Sequence, residues 1–161
     1  MSVQPDDIRR HLQRVLADEA RLLAQLEQIL IAEADVVGGS DATAIEHIGA
    51  ARHHCVASLT GLDAERVSTC RMLAYAPGRE GFERLLAWCD PSAALHERWR
   101  QNLQLAHRCK DLNDRNGLVV ALKLGQVQKR LAALRGGPAG ALYGRSGARI
   151  DGFTPRALGT A

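Results

Sequence analysis

Apolar side chains in the first forty residues recur on a seven-residue step, and this periodicity constrains the chain more than any other feature. Leu12, Val15, Leu22, Leu26, Ile29 and Val36 fall at heptad spacing, and Leu16, Leu23, Leu30 and Val37 form a flanking column. Two adjoining columns make the wide stripe that a bundle helix needs. Glu19 and Glu33 interrupt the first column. The pattern predicts a helix from about Asp6 to Val37, capped by Asp6 or Asp7 after Pro5. Gly38 and Gly39 are expected to end it, because glycine readily takes the left-handed closing conformation.

A second helix is predicted from a cap at Ser40 or Asp41 to about Leu73, its inner face being Ile45, Ile48, Cys55, Leu59, Leu62, Val67 and Leu73. The short turn between the two helices favours an antiparallel hairpin. Pro77-Gly78 and Asp90-Pro91 bracket a short apolar piece, Phe82 to Trp88, which reads as a crossover with one short helix in residues 80–89. Ser92 is expected to cap a third long helix, to about Leu134. Its expected face includes Leu95, Trp99, Leu103, Ala106, Cys109, Leu112, Val119, Val120, Val127, Leu131 and Leu134. Leu118-Val119-Val120-Ala121-Leu122 is apolar on nearly every side. Such a run is buried on both flanks or serves a partner, and the sequence leaves both readings open. The expected fold is all-α: an antiparallel, coiled-coil-like bundle of three long helices with a short crossover helix. The bundle is assigned to residues 1–135. Residues 136–161 hold seven of the fifteen glycines and two prolines and read as a flexible tail.

Composition removes several functions. The chain has 161 residues, 46% hydrophobic and 4% aromatic, and no apolar run approaches the ~18 residues of a membrane span. The amino terminus has two acids where a signal peptide has basic residues, so a cytoplasmic location is expected. Cys55, Cys70, Cys89 and Cys109 form no CxxC pair and read as buried free thiols; no metal or other cofactor is expected. There is no GxSxG, P-loop or HExxH, and no catalytic residue is assigned. Net charge is +3, but residues 1–134 balance 17 basic against 17 acidic side chains. The excess lies in Arg135, Arg145, Arg149 and Arg156, which argues against a nucleic-acid surface.

Two short elements point to a function. The third helix carries Leu112-Asn113-Asp114-Arg115-Asn116-Gly117, and after a Gly/Pro spacer the tail carries Leu142-Tyr143-Gly144-Arg145-Ser146-Gly147. In this order, on a helical chain of this length, they resemble the FlgN family of flagellar type III export chaperones. That family has a Leu-Asn-x-x-Asn-Gly signature on a helix and a Leu-Tyr-Gly-x-x-Gly element in its tail. The resemblance implies a chaperone without enzymatic activity. Its clients would be the two hook–filament junction proteins, held unassembled by their carboxyl-terminal helices. Its second contact would be the cytoplasmic domain of the export gate. The client-binding residues would be Leu112, Asn113, Asn116, Gly117, Val120, Leu124, Val127, Leu131 and Leu134, and the gate-binding residues Leu142, Tyr143 and Gly144.

Structural readings stand beside these. Asn113 and Asn116 fit a register-setting pair, Gly117 fits a close helix approach, and Leu142-Tyr143 fits a tail anchor. A helical adaptor unrelated to flagella, bound through the same stripe, is the alternative function. A homodimer through the third helix is left open. No membrane insertion is expected.

Overall fold

The computed structural model describes residues 4–39, 41–135 and the two short strands below. Four helices follow one another: α1 (Pro5–Gly38), α2 (Ala42–Met72), α3 (Arg79–Cys89) and α4 (Ala94–Leu134). Strand β1 (Leu142–Tyr143) pairs antiparallel with β2 (Arg149–Ile150), Leu142 opposite Ile150. The chain divides into two compact units, Met1–Gly117 and Leu118–Ala161, and α4 runs through the division. Among the described residues no helix is long and apolar enough to cross a membrane.

In the first unit, side-chain contacts fix how the helices run. Arg66 reaches Glu19 and Arg52 reaches Glu33, so α2 descends as α1 ascends. Leu16, Leu23 and Leu30 of α1 accept bonds from Asn102, Cys109 and Asn116 of α4, each pair separated by 86 positions. A constant offset means parallel helices, as an up-down-up bundle requires. Short α3 covers the end where α2 hands over to α4.

Local chemistry explains the helix ends, and some differ from the sequence expectation. Gln4 occupies the N-cap of α1 without a side-chain bond, and Pro5 takes the first helical position, where no N–H is needed. Asp6 and Asp7 therefore lie inside the first turn rather than capping it, pairing with Arg9 at 3.2 Å and Arg10 at 2.6 Å. Gly39 closes α1 at φ −89°, ψ −171°, an extended conformation and not the expected left-handed one. Asp41 caps α2 as expected, its Oδ1 accepting the Ala44 N–H at 3.1 Å; Ser40, the alternative, lies outside the described residues. Helix α2 ends in a Schellman closure. Tyr75 N–H donates to Cys70 O at 2.8 Å and Ala74 N–H to Arg71 O at 3.1 Å, with Ala74 left-handed at φ 60°. The main cap of α4 is Asp90 rather than Ser92: Asp90 Oδ2 accepts the Leu95 N–H at 2.8 Å, whereas Ser92 Oγ is 3.5 Å from Ala94 N.

Two apolar clusters form the core. The first joins Ile8, Leu12 and Leu16 of α1 to Phe82, Leu85, Leu86 and Cys89 of α3 and to Leu95 and Trp99 of α4. Phe82 and Trp99 meet edge to face at 5.0 Å. Gly81 is required here, because a Cβ would lie 1.9 Å from Ala76 O. The second gathers Leu26, Leu30, Cys55 and Cys109, with Leu112 packed against it. The α1 columns line the interior, and so does the expected face of α2 except for its first member, Ile45. Only Cys55, Thr69 and Cys70 of α2 are buried, while Ile45 is exposed. Ile48, Leu59, Leu62, Val67 and Leu73 are half-buried, with Leu73 packed against the first cluster and Leu59 against the second. All four cysteines are buried and free.

Candidate functional site

The chemistry of the first unit lies in two polar layers fourteen residues apart. In one, Asn102 Nδ2 donates to Leu16 O at 3.0 Å and to Glu19 Oε2 at 2.7 Å, while Arg66 Nη1 reaches Glu19 Oε1 at 3.3 Å. In the other, Asn116 Nδ2 donates to Leu30 O at 2.8 Å and to Glu33 Oε2 at 2.9 Å, while Arg52 Nη1 reaches Glu33 Oε1 at 2.9 Å. Each layer thus ties α1, α2 and α4 together. Both glutamate side chains are 15% exposed, so each carboxylate has a guanidinium and an amide in place of most of its water. Arg66 also pairs with Asp63 and lies over the Trp99 ring at 4.4 Å.

Between the layers Cys109 Sγ donates to Leu23 O at 3.5 Å and Cys55 Sγ to Leu22 O at 3.2 Å. Burial pushes the thiols of Cys55, Cys70, Cys89 and Cys109 above the usual range, which keeps them protonated and poor nucleophiles. Among the described residues no group of three or more His, Cys, Asp or Glu side chains converges for a metal ion.

The signature on α4 divides between interior and surface. Asn116 is buried, and Leu112 is half-buried against the second cluster. Asn113 is half-buried and lines a groove of about 390 Å³ with Leu23, Leu26, Arg52, Val56 and Lys110. Asn113 and Asn116 do not bond one another; Asn116 is engaged with α1. Gly117 is exposed, and a Cβ there would meet nothing within 4 Å, so close packing does not account for it.

In the second unit the described part of α4 is a helix with an uncovered apolar surface. Leu118, Val119, Val120, Leu122, Leu124, Val127, Leu131 and Leu134 are all exposed, by 37 to 84%. Leu142 and Tyr143 form β1, and Gly144 lies outside the described residues.

Asn102, Glu19, Glu33, Arg52 and Arg66 were not singled out by sequence reasoning as a set. The available signal was the shared spacing: Glu19 to Glu33, Asn102 to Asn116 and Arg52 to Arg66 are each fourteen residues, two heptads.

The first unit is a helical bundle crossed by two polar layers, and residues 118–134 of α4 carry exposed large apolar side chains, the features of a predominantly helical protein. The family model described as FlgN protein matches residues 9–149. The chain belongs to the FlgN family, a family of flagellar export chaperones, and its role in general is that of a flagellar export chaperone. Searches of curated proteins and of solved structures return no significant match.

Proposed function

We propose that this chaperone binds the carboxyl-terminal helices of the two hook–filament junction proteins, keeps them unassembled in the cytoplasm and delivers them to the export gate. The observation that carries this reading is the row of eight exposed large apolar side chains within residues 118–134. An amphipathic helix docks by laying spaced apolar anchors against such a surface. Val120, Leu124, Val127, Leu131 and Leu134 are the client-contacting residues in this reading. Leu112, Asn113, Asn116 and Gly117, the family signature residues, are client-binding in the same reading. Leu142, Tyr143 and Gly144 form the element that docks on the cytoplasmic domain of the gate. Tyrosine suits that task, since it buries a large area at small entropic cost.

The test uses the full chain titrated with a junction-protein carboxyl-terminal peptide and, separately, with the gate's cytoplasmic domain. Val127→Glu with Leu131→Glu is expected to weaken peptide capture at least tenfold while leaving helix content unchanged. Tyr143→Ala is expected to weaken gate binding and leave peptide affinity within about twofold. Unchanged peptide affinity in the first variant would remove α4 as the client surface. Equal losses for both ligands in the second would remove the separate gate contact.

A further inference from the structure

The uncovered stretch of α4 has a charge pattern that restricts what can cover it. Val120, Leu124, Val127, Leu131 and Leu134 are spaced by four and three residues, the inner positions of a heptad. In that register Lys123 and Arg130 flank the stripe on one side, and Gln128 and Arg135 flank it on the other. No acidic residue occurs from Leu118 to Arg135, and Lys129 adds another positive charge. Arg130 and Arg135 form no ion pair among the described residues. Flanking charges of this kind set partner choice and orientation when helices pair.

A second copy of the segment fits poorly in either direction. Antiparallel pairing would bring Lys123 of one copy against Arg130 of the other. Parallel pairing would bring Arg130 against Arg135. Like charges beside a closing apolar seam disfavour the assembly, which is how unwanted partners are rejected.

We infer that the α4 stripe selects an amphipathic helix whose flanking positions are acidic, and that the same basic edges keep the chaperone from pairing with itself. This rests on the helix-docking reading above and adds the chemistry of the partner to it. Glutamates on the incoming helix would meet Arg130 and Arg135 at the rim. The apolar anchors would supply most of the affinity, and the rim would supply discrimination.

Two designed peptides test it against the full chain. Both carry the same apolar stripe; one has Glu and the other Lys at the flanking positions. At low ionic strength the Glu peptide is expected to bind about tenfold more tightly. The difference should shrink in 1 M salt, where screening acts within about 3 Å. Arg130→Glu with Arg135→Glu should reduce the preference to threefold or less, or reverse it, with helix content unchanged. Equal affinity of the two peptides overturns the charge selection and leaves helix docking standing. Binding of neither peptide removes the docking reading itself. A stable homodimer in sedimentation, dissociated by Leu131→Glu, overturns the claim that the basic edges prevent self-pairing.

Discussion

Replacing Asn116 with alanine probes the polar layers directly. The change deletes the 2.8 Å bond to Leu30 O and the 2.9 Å bond to Glu33 Oε2. The Leu30 carbonyl lies within α1 and retains its place in the helical ladder, so the first loss is that of a neutral bond, about 1 kcal/mol. The second bond is to a carboxylate, where about 1.5–3 kcal/mol is typical. Glu33 still has Arg52 at 2.9 Å and 15% exposure, which brings this loss down towards about 1 kcal/mol. The total is about 2 kcal/mol, or a midpoint lower by about 8 °C in a unit of this size. Asn102→Ala removes the equivalent pair of bonds, at 3.0 and 2.7 Å, and should cost about the same. The two layers stand about 21 Å apart along α4, so the double variant should lose about 4 kcal/mol by addition. Urea unfolding followed by circular dichroism measures all three, with the slope checked for constancy. Losses below about 0.5 kcal/mol in both single variants would refute the view that these layers hold α1, α2 and α4 together.

Other outcomes follow from the helix ends and glycines. The Asp90 carboxyl is held below its ordinary range, first by the Leu95 N–H, then by the Ser92 hydroxyl. A depressed folded-state value contributes stability that is present above the unfolded value of about 3.9 and is lost as pH falls through the folded one. Asp90→Asn should therefore flatten the acid limb of a stability-against-pH curve below about pH 4; an unchanged limb would remove Asp90 as a source. Gly81→Ala should destabilise by about 3 kcal/mol, because the new Cβ meets Ala76 backbone at 1.9 Å. Gly117→Ala, with open space around its Cβ, should stabilise by up to about 1 kcal/mol in the same unfolding assay. Ala74→Gly should gain about 1 kcal/mol by relieving the left-handed alanine of the α2 closure.

Periodicity and punctuation by themselves determined where the helices lie. The heptad columns of α1, the breaks at Gly38 and Pro77, and the Asp90-Pro91 step mark out four helices, because these signals act within a few residues. Buried thiols were legible for the same reason, since cysteines outside any paired spacing default to the core. The Asn-x-x-Asn-Gly and Leu-Tyr-Gly elements were enough to suggest the family.

What the tertiary structure decided is the meaning of the polar residues on apolar faces. Glu19 and Glu33 look like flaws in a stripe until Asn102 and Asn116, more than eighty residues later, are set beside them. Asn116 could equally have bonded Asn113, faced solvent or fixed register, and only the pairing of α1 with α4 selects among these. The run after Gly117 could have been core or surface with identical periodicity. A side chain's environment depends on which helices reach it, and contacts across eighty-six positions leave no mark in local spacing.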